Sequence, residues 1–250
     1  MLITHDEGGV RLLTLNRPDK LNAMTSALYR ACADSLAEAA ASEEIGAVVL
    51  TGAGRGFCAG NDLGELAGAG GGNGPADQGA AFAAFMDAIS GFPKALLAAV
   101  NGVGVGIGMT LLPFCDAALI AASARLRGPF VSLGVAPEAG SSASFAAIMG
   151  WQRASHVLLR GGWVTAPEAV QLGLALEVVP DAEVVERTVE IADDIVRAGP
   201  LSSIVATKQL LVAARRELLS NARSREDATF RALFEAGVPG TPSRFAATEH

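Results

Sequence analysis

Between Ala95 and Cys115 the chain carries no charged residue except at its far border, Asp116, and glycine recurs at every second position: Gly102, Gly104, Gly106 and Gly108. A charge-free run of about 20 residues is long enough to cross a bilayer as a helix. Asn101-Gly102, however, is a turn signal in its middle. The run reads better as a buried strand, a glycine turn and a buried helix. A stretch of this kind must be enclosed by other apolar elements, and a chain of 250 residues with 50% hydrophobic and 18% charged side chains can supply them.

Charge and cysteine content narrow the class further. With 26 acidic and 19 basic residues the formal net charge is −7, which argues against general nucleic-acid binding. Cys32, Cys58 and Cys115 are odd in number and match no metal-ligand spacing, so a reduced cytoplasm is the expected compartment. Met1 to Asp6 shows no basic region followed by an apolar stretch, and no secretory signal is expected.

Periodicity predicts an α/β alternation. Glu7-Gly8-Gly9 joins two short apolar runs as a hairpin, and Thr25 caps a helix bearing Leu28, Cys32, Leu36 and Ala39 on one face. Ala47–Leu50, Leu96–Val100 and Ala117–Ala121 read as strands, and Leu174–Val179 as a further one. Gly68 to Gly79, with six glycines and Pro75, reads as an exposed mobile loop, followed by a helical repeat of Phe82, Phe85, Met86 and Ile89. Thr165-Ala166-Pro167-Glu168 is a capping box. From Ala182 the pattern is helical, broken by Gly199-Pro200, and Gly237–His250 reads as a loosely ordered end. This predicts an α/β core over residues 1–198 and a helical region over 199–250.

Few residues can carry chemistry. The glycine run fails the dinucleotide fingerprint on spacing, because Ile107 stands where a third glycine is needed. A strand-to-helix junction rich in glycine still suits a carbonyl oxygen or an anion, or else serves tight packing alone. Arg55 to Leu63 offers a second such junction, with Asp62 as a possible plain helix cap. Cys58 is either a nucleophile or, more simply, a small buried thiol. His156 is a poor triad member, there is no G-x-S-x-G elbow and no His pair for a metal. General acid–base work therefore falls to carboxylates. Glu138 lies in an apolar, glycine-bounded turn, and only Arg127 and Arg153 join it as charged residues between Leu126 and Arg153. It is either a proton-transfer group with a raised pKa or an exposed turn residue favoured by a helix dipole.

Taken together, N-R-P-D-K-L-N-A-M at 16–24, G-R-G-F-C-A-G-N-D-L at 54–63, the glycine run leading to Cys115-Asp116, Leu172-Gly173-Leu174 and Val178-Val179-Pro180 resemble the crotonase (enoyl-CoA hydratase/isomerase) superfamily along nearly the whole chain. The resemblance implies a spiral of ββα units with a C-terminal helical extension that mediates homotrimers, often paired into hexamers. It implies an acyl-CoA thioester substrate, with CoA part of the substrate and no separate cofactor; the charge balance and the Asn101-Gly102 turn are what argue against a nucleic-acid or a membrane partner. The thioester oxygen would be held by the backbone N–H groups of Asn61, after Ala59-Gly60, and of Ile107, after Gly106.

The positions of the two glutamates that hydratases use hold Thr110 and Phe130, neither of which can be a general base. Glu138 matches the single glutamate of the peroxisomal-type Δ3,Δ2-enoyl-CoA isomerases, within L-G-x-x-P-E-x-x-S-S. The resemblance also places Lys20 and the backbone of Leu21 and Ala23 at the CoA nucleotide, and Phe130 and Leu133 beside the acyl chain, where core packing is the simpler role for both. Lys208 sits in a stretch common in the family that otherwise reads as a solvated helix face. Pro113 is expected to bend the helix beginning near Ile107. Other thioester-enolate reactions on this scaffold (hydration, decarboxylation) and non-catalytic acyl-CoA binding stay open as alternatives.

Overall fold

The computed structural model describes residues 1–66 and 75–237. Two sheets share the chain between them. The larger contains β1 (Leu2–Glu7), β2 (Val10–Leu15), β3 (Ala47–Gly52), β5 (Ala95–Val100), β7 (Ala117–Ala121) and β10 (Glu177–Val179), hydrogen-bonded in that order. The smaller contains β4 (Gly56–Cys58), β6 (Val103–Val105), β8 (Arg125–Arg127) and β9 (Trp163–Thr165), again in chain order. Among the described residues, only the β1–β2 and β8–β9 pairs are antiparallel.

Three successive turns of chain each give one strand to the large sheet and the next to the small one: β3 then β4, β5 then β6, β7 then β8. Helical segments separate the turns. After α1 (Ser26–Ala41) come α2 (Leu63–Leu66) and α3 (Pro75–Ser90), then α4 (Ile107–Thr110), then α5 (Phe130–Leu133), α6 (Ser141–Met149) and α7 (Trp151–Arg160). This is the crotonase spiral of ββα units. The chain closes with α8 (Ala166–Gln171), α9 (Val184–Arg197) and the long α10 (Leu201–Glu235).

The reasons lie in the sequence. Strands β3, β5 and β7 are buried at every residue, as parallel strands covered on both faces must be. Helix α9 covers one face of β3, β5 and β7. The edge strand β1 is mostly exposed and ends in His5, Asp6 and Glu7, charged and polar side chains that discourage edge-to-edge pairing. The Gly8-Gly9 turn takes positive φ at both residues, as a two-residue hairpin turn requires. Thr25 accepts from the Leu28 N–H and starts α1, whose Leu28, Cys32, Leu36 and Ala39 are all buried.

Several local expectations change. The strand expected over Leu174–Val179 is confined to β10, because Leu174 and Ala175 donate to the Ala169 carbonyl and close a turn instead. Helix α3 begins at Pro75, well before Phe82, so the glycine-rich stretch is helical from that residue. Gln78 anchors its start by donating to the Met24 carbonyl at 3.1 Å. The remainder of that stretch, and the end from residue 238, lie outside the described residues. Pro113 bends no helix: α4 stops at Thr110, and Pro113 opens a separate 3-10 turn, Leu112–Phe114. Lys208 is no solvated residue. It is buried, and its Nζ lies 2.6 Å from Asp116 Oδ2, tying α10 to the end of β5, whose Leu96 N–H donates to the same carboxylate. No described helix is long and apolar enough to cross a membrane.

Candidate active site

The small sheet is what brings the two glycine junctions together. Strands β4 and β6 pair in parallel, Gly56 with Val103 and Cys58 with Gly104. Packing α4 against β4 needs glycine at Gly108, where an added Cβ would stand 2.2 Å from the Cys58 carbonyl oxygen. Just beyond the two strands, Gly60 and Gly106 lie side by side: a Cβ on Gly106 would sit 3.8 Å from Gly60 Cα. Both have positive φ, 92° and 54°.

Each glycine turns the next N–H outward. Gly60 and Asp62 bond through their backbone to Met24, the Met24 N–H donating to Gly60 O at 2.8 Å and the Asp62 N–H to Met24 O at 2.9 Å. In such a parallel bridge the intervening Asn61 N–H points the other way. Gly106 is the N-cap residue of α4, so Ile107 carries one of the unpaired N–H groups of a helix start. Fully buried Ile107 fixes that start in the core.

Glu138 comes to this junction from the loop before α6. The residue is half-buried, while its carboxyl group is desolvated by burial. The Ile107 N–H and the Asn61 side-chain amide lie close enough to hold its pKa down, and Oε1 would lie 3.2 Å from a Cβ on Gly106. Burial pushes its pKa up to about 7, with the Glu226 carboxylate adding to the shift and the two donors opposing it. A carboxyl group poised there can both take and release a proton near neutrality. The exposed-turn reading of Glu138 does not describe this geometry.

The turn that carries Glu138 is held tightly. Ala139 and Gly140 are both left-handed, φ 60° and 70°. The Ser141 N–H and hydroxyl donate to the Glu138 carbonyl at 3.0 and 2.7 Å. Two further residues of the site escape any reading of the sequence. The hydroxyl of buried Tyr29 donates to Asn61 Oδ1 at 2.6 Å, and Glu226 of α10 reaches the turn from a distant part of the chain. The sequence points to the backbone of Asn61 alone, yet its side chain also lies beside the Glu138 carboxyl.

The other candidates divide. Leu21 and Ala23 are half-buried beside the junction: the Ala59 N–H donates to Leu21 O at 2.9 Å, and Arg17 bonds the Ala23 carbonyl while pairing with Asp62 at 2.8 Å. Lys20 is exposed on the same turn. Asp62 also accepts from the Gly64 N–H at 3.0 Å, as a capping residue does. Thr110 is buried and its hydroxyl donates to Gly106 O at 3.2 Å. Phe130 belongs to the core and packs over Gly128 near Met109, and Leu133 is half-buried at the end of α5. Burial pushes the Cys58 thiol up to about 12, so it is protonated at neutral pH and is the small buried thiol rather than a nucleophile. His156 is exposed on α7.

Comparison with known proteins decides the family. Residues 5–239 match the model of the enoyl-CoA hydratase/isomerase family. The chain belongs to that family. Among relatives of this hydratase/isomerase chain, enoyl-CoA delta isomerase 2 of Rattus norvegicus is 36% identical over 92% of the chain, which spans 59% of the rat protein. The 2,3-dehydroadipyl-CoA hydratase of Escherichia coli is 34% identical over 93% of the chain and 89% of its own length. An enoyl-CoA hydratase/isomerase structure from Pseudoalteromonas atlantica superposes with a TM-score of 0.85 at 33% identity, covering 93% of this chain and 90% of that one. Isomerases and hydratases of the family thus stand at similar distances from this chain.

Proposed function

We propose that the chain is a Δ3,Δ2-enoyl-CoA isomerase that converts a 3-enoyl-CoA into the 2-trans-enoyl-CoA. The observation that carries this reading is the single acid at the donor pair: Glu138 faces the Ile107 N–H and the Asn61 amide, while buried Thr110 bonds its own helix and Phe130 lies in the core. In this account the Glu138 carboxylate takes a proton from C2. The C–H electron pair spreads into a dienolate whose charge rests on the thioester oxygen, held by the N–H groups of Asn61 and Ile107. Each such donor contributes about 3–4 kcal/mol to the transition state. The Glu138 acid then returns the proton to C4, the electrons shift to C2=C3, and the thioester carbonyl re-forms. No water adds and no separate cofactor takes part.

Substrate and base compete for the Ile107 N–H. A thioester oxygen that takes this donor draws it away from the Glu138 carboxyl, whose pKa it holds down, and so raises the basicity of Glu138 when a proton must be abstracted. The turn bearing Lys20, Leu21 and Ala23 would hold the CoA nucleotide end, with Phe130 and Leu133 toward the acyl chain. Exposed Leu210, Leu211, Leu218, Phe230 and Phe234 on α10 support a subunit-contacting role for the C-terminal helical region in a homotrimer or homohexamer.

Hydration is the second reading, favoured by the likeness to the E. coli hydratase. Ultraviolet absorbance of the conjugated thioester separates the two. The isomerase gains absorbance from 3-enoyl-CoA and leaves 2-trans-enoyl-CoA unchanged. A chain that bleaches 2-trans-enoyl-CoA by adding water, and does not conjugate 3-enoyl-CoA, is a hydratase.

A further inference from the structure

Helix α10 ends its contact with the core at Glu226, and that contact lands on the catalytic turn. One carboxylate oxygen of Glu226 accepts from the Gly140 N–H at 2.6 Å and the other from the Ser142 N–H at 2.8 Å. Only 5% of the residue is exposed. Its negative charge sits at the N-terminus of α6, where unpaired N–H groups and the helix dipole favour an anion. Among the described residues no lysine, arginine or histidine pairs with it. Arg223, one turn earlier, packs its Cγ against Gly140 but directs its guanidinium to Asp87, 2.9 Å away on α3.

Glu138 is two residues from Gly140, and the one residue between them is strained: Ala139 is a non-glycine residue at φ 60°. Such a turn persists only when its surroundings over-determine it. The Ser141 bonds close the turn from within, and Glu226 clamps it from outside. We propose that Glu226 is a positioning residue for the proton shuttle, fixing the turn at 138–142 so that the Glu138 carboxyl stays against the Asn61 and Ile107 donors. This rests on Glu138 being the proton carrier. The clamp touches no reacting atom and acts through the turn and through its charge.

That charge gives the test a signature. The titratable groups facing Glu138 are Glu226 from α10, Tyr29 from α1 and Cys58 from β4, and the carboxylate of Glu226 is the charge among them that adds to the upward shift burial causes. Asp227 is the charged neighbour that Glu226 has on its own helix.

Kinetics of Glu226→Gln beside wild type and Glu138→Gln decide the matter, read as the conversion of 3-enoyl-CoA to the conjugated product across pH. We expect kcat to fall by about 10- to 100-fold with KM nearly unchanged, and the acid limb of the profile to move to lower pH. A variant with a lower melting temperature but wild-type kcat and an unmoved acid limb overturns the proposal and leaves Glu226 a structural cap. A fully active Glu138→Gln instead refutes the proton-carrier reading itself, whatever Glu226 does. Amide exchange in the wild type gives a measurement that needs no variant to fold. Protection of the Gly140 and Ser142 amides that is lost on acidification upholds the clamp, and exchange at the rate of an open loop overturns it.

Discussion

The Tyr29 hydroxyl donates to Asn61 Oδ1 across 2.6 Å, which leaves the Asn61 NH2 as the end of the amide that meets Glu138. An amide has one acceptor and one donor end; here the acceptor end meets the buried phenol and the donor end faces the Glu138 carboxyl. Tyr29 itself is fixed edge-on against Phe82, ring centres 5.6 Å apart. The acid at the donor pair is thus backed by a chain of contacts that runs into the core under α1.

Tyr29→Phe removes that hydroxyl and nothing else. Asn61 is then free to flip, so kcat should drop about 3- to 10-fold, with a stability loss of about 1 kcal/mol for the lost hydrogen bond. Steady-state kinetics and thermal denaturation of the purified variant check both figures. An unchanged kcat would mean that Asn61 keeps its orientation without the phenol.

The pKa of Glu138 makes stability oppose function. Folding raises it from 4.5 to about 7, so the native chain binds this proton more tightly than the unfolded chain does. The stabilisation is complete below about pH 4.5 and is lost as pH rises through 7, a difference of roughly 3 kcal/mol. Glu138→Gln should therefore be more stable than wild type at pH 8, by about 2 kcal/mol, and show no such advantage near pH 4. Urea titrations at the two pH values measure it.

Gly108 carries the junction mechanically. Alanine there would place Cβ 2.2 Å from the Cys58 carbonyl oxygen, and the obstacle is backbone that must move as a unit. Gly108→Ala should lose about 3 kcal/mol or more of stability and essentially all activity, because Ile107 opens α4 and Asn61 follows β4 by three residues. Wild-type activity in this variant would show that α4 and β4 move apart without disturbing the site.

Lys208 and Asp116 form a mostly buried pair away from Glu138. Lys208→Met leaves the Asp116 carboxylate with its Leu96 N–H alone and should cost about 2–3 kcal/mol, the low end for a broken buried pair because Asp116 is 26% exposed. The variant that remains folded should keep wild-type KM. Denaturation midpoints and kinetics on one preparation separate the two effects.

What the sequence reveals of this molecule follows the range of the forces involved. Thr25, the buried runs of β3 and β5, the capping box at Thr165 and the break at Gly199-Pro200 are local signals, and each element begins or ends where those residues direct. The glycines at 102–108 announce close backbone approach, and the structure shows what approaches: Arg55 O at Gly102 and Cys58 O at Gly108. The small sheet is not legible, because three-residue strands such as Arg125–Arg127 and Trp163–Thr165 are too short to display a period. Glycine content hides the start of α3, which long-range contacts such as Arg30 with Asp77 and Gln78 with Met24 secure. Glu138 stands out as a lone carboxyl in apolar sequence. Its partners Tyr29 and Glu226 do not, since nothing local marks a tyrosine or a glutamate on a helix as facing a turn that is distant along the chain.

The central claim is that one carboxyl group, Glu138, carries the proton from C2 to C4. Conversion of 3-enoyl-CoA to the conjugated 2-enoyl-CoA by Glu138→Gln, followed by ultraviolet absorbance beside the wild type, tests it most directly. We expect rapid conjugation by the wild type and a loss of at least about 1,000-fold in kcat in the variant, with acyl-CoA still bound. Conjugation by the variant at the wild-type rate would contradict it, and would place the base elsewhere in the site.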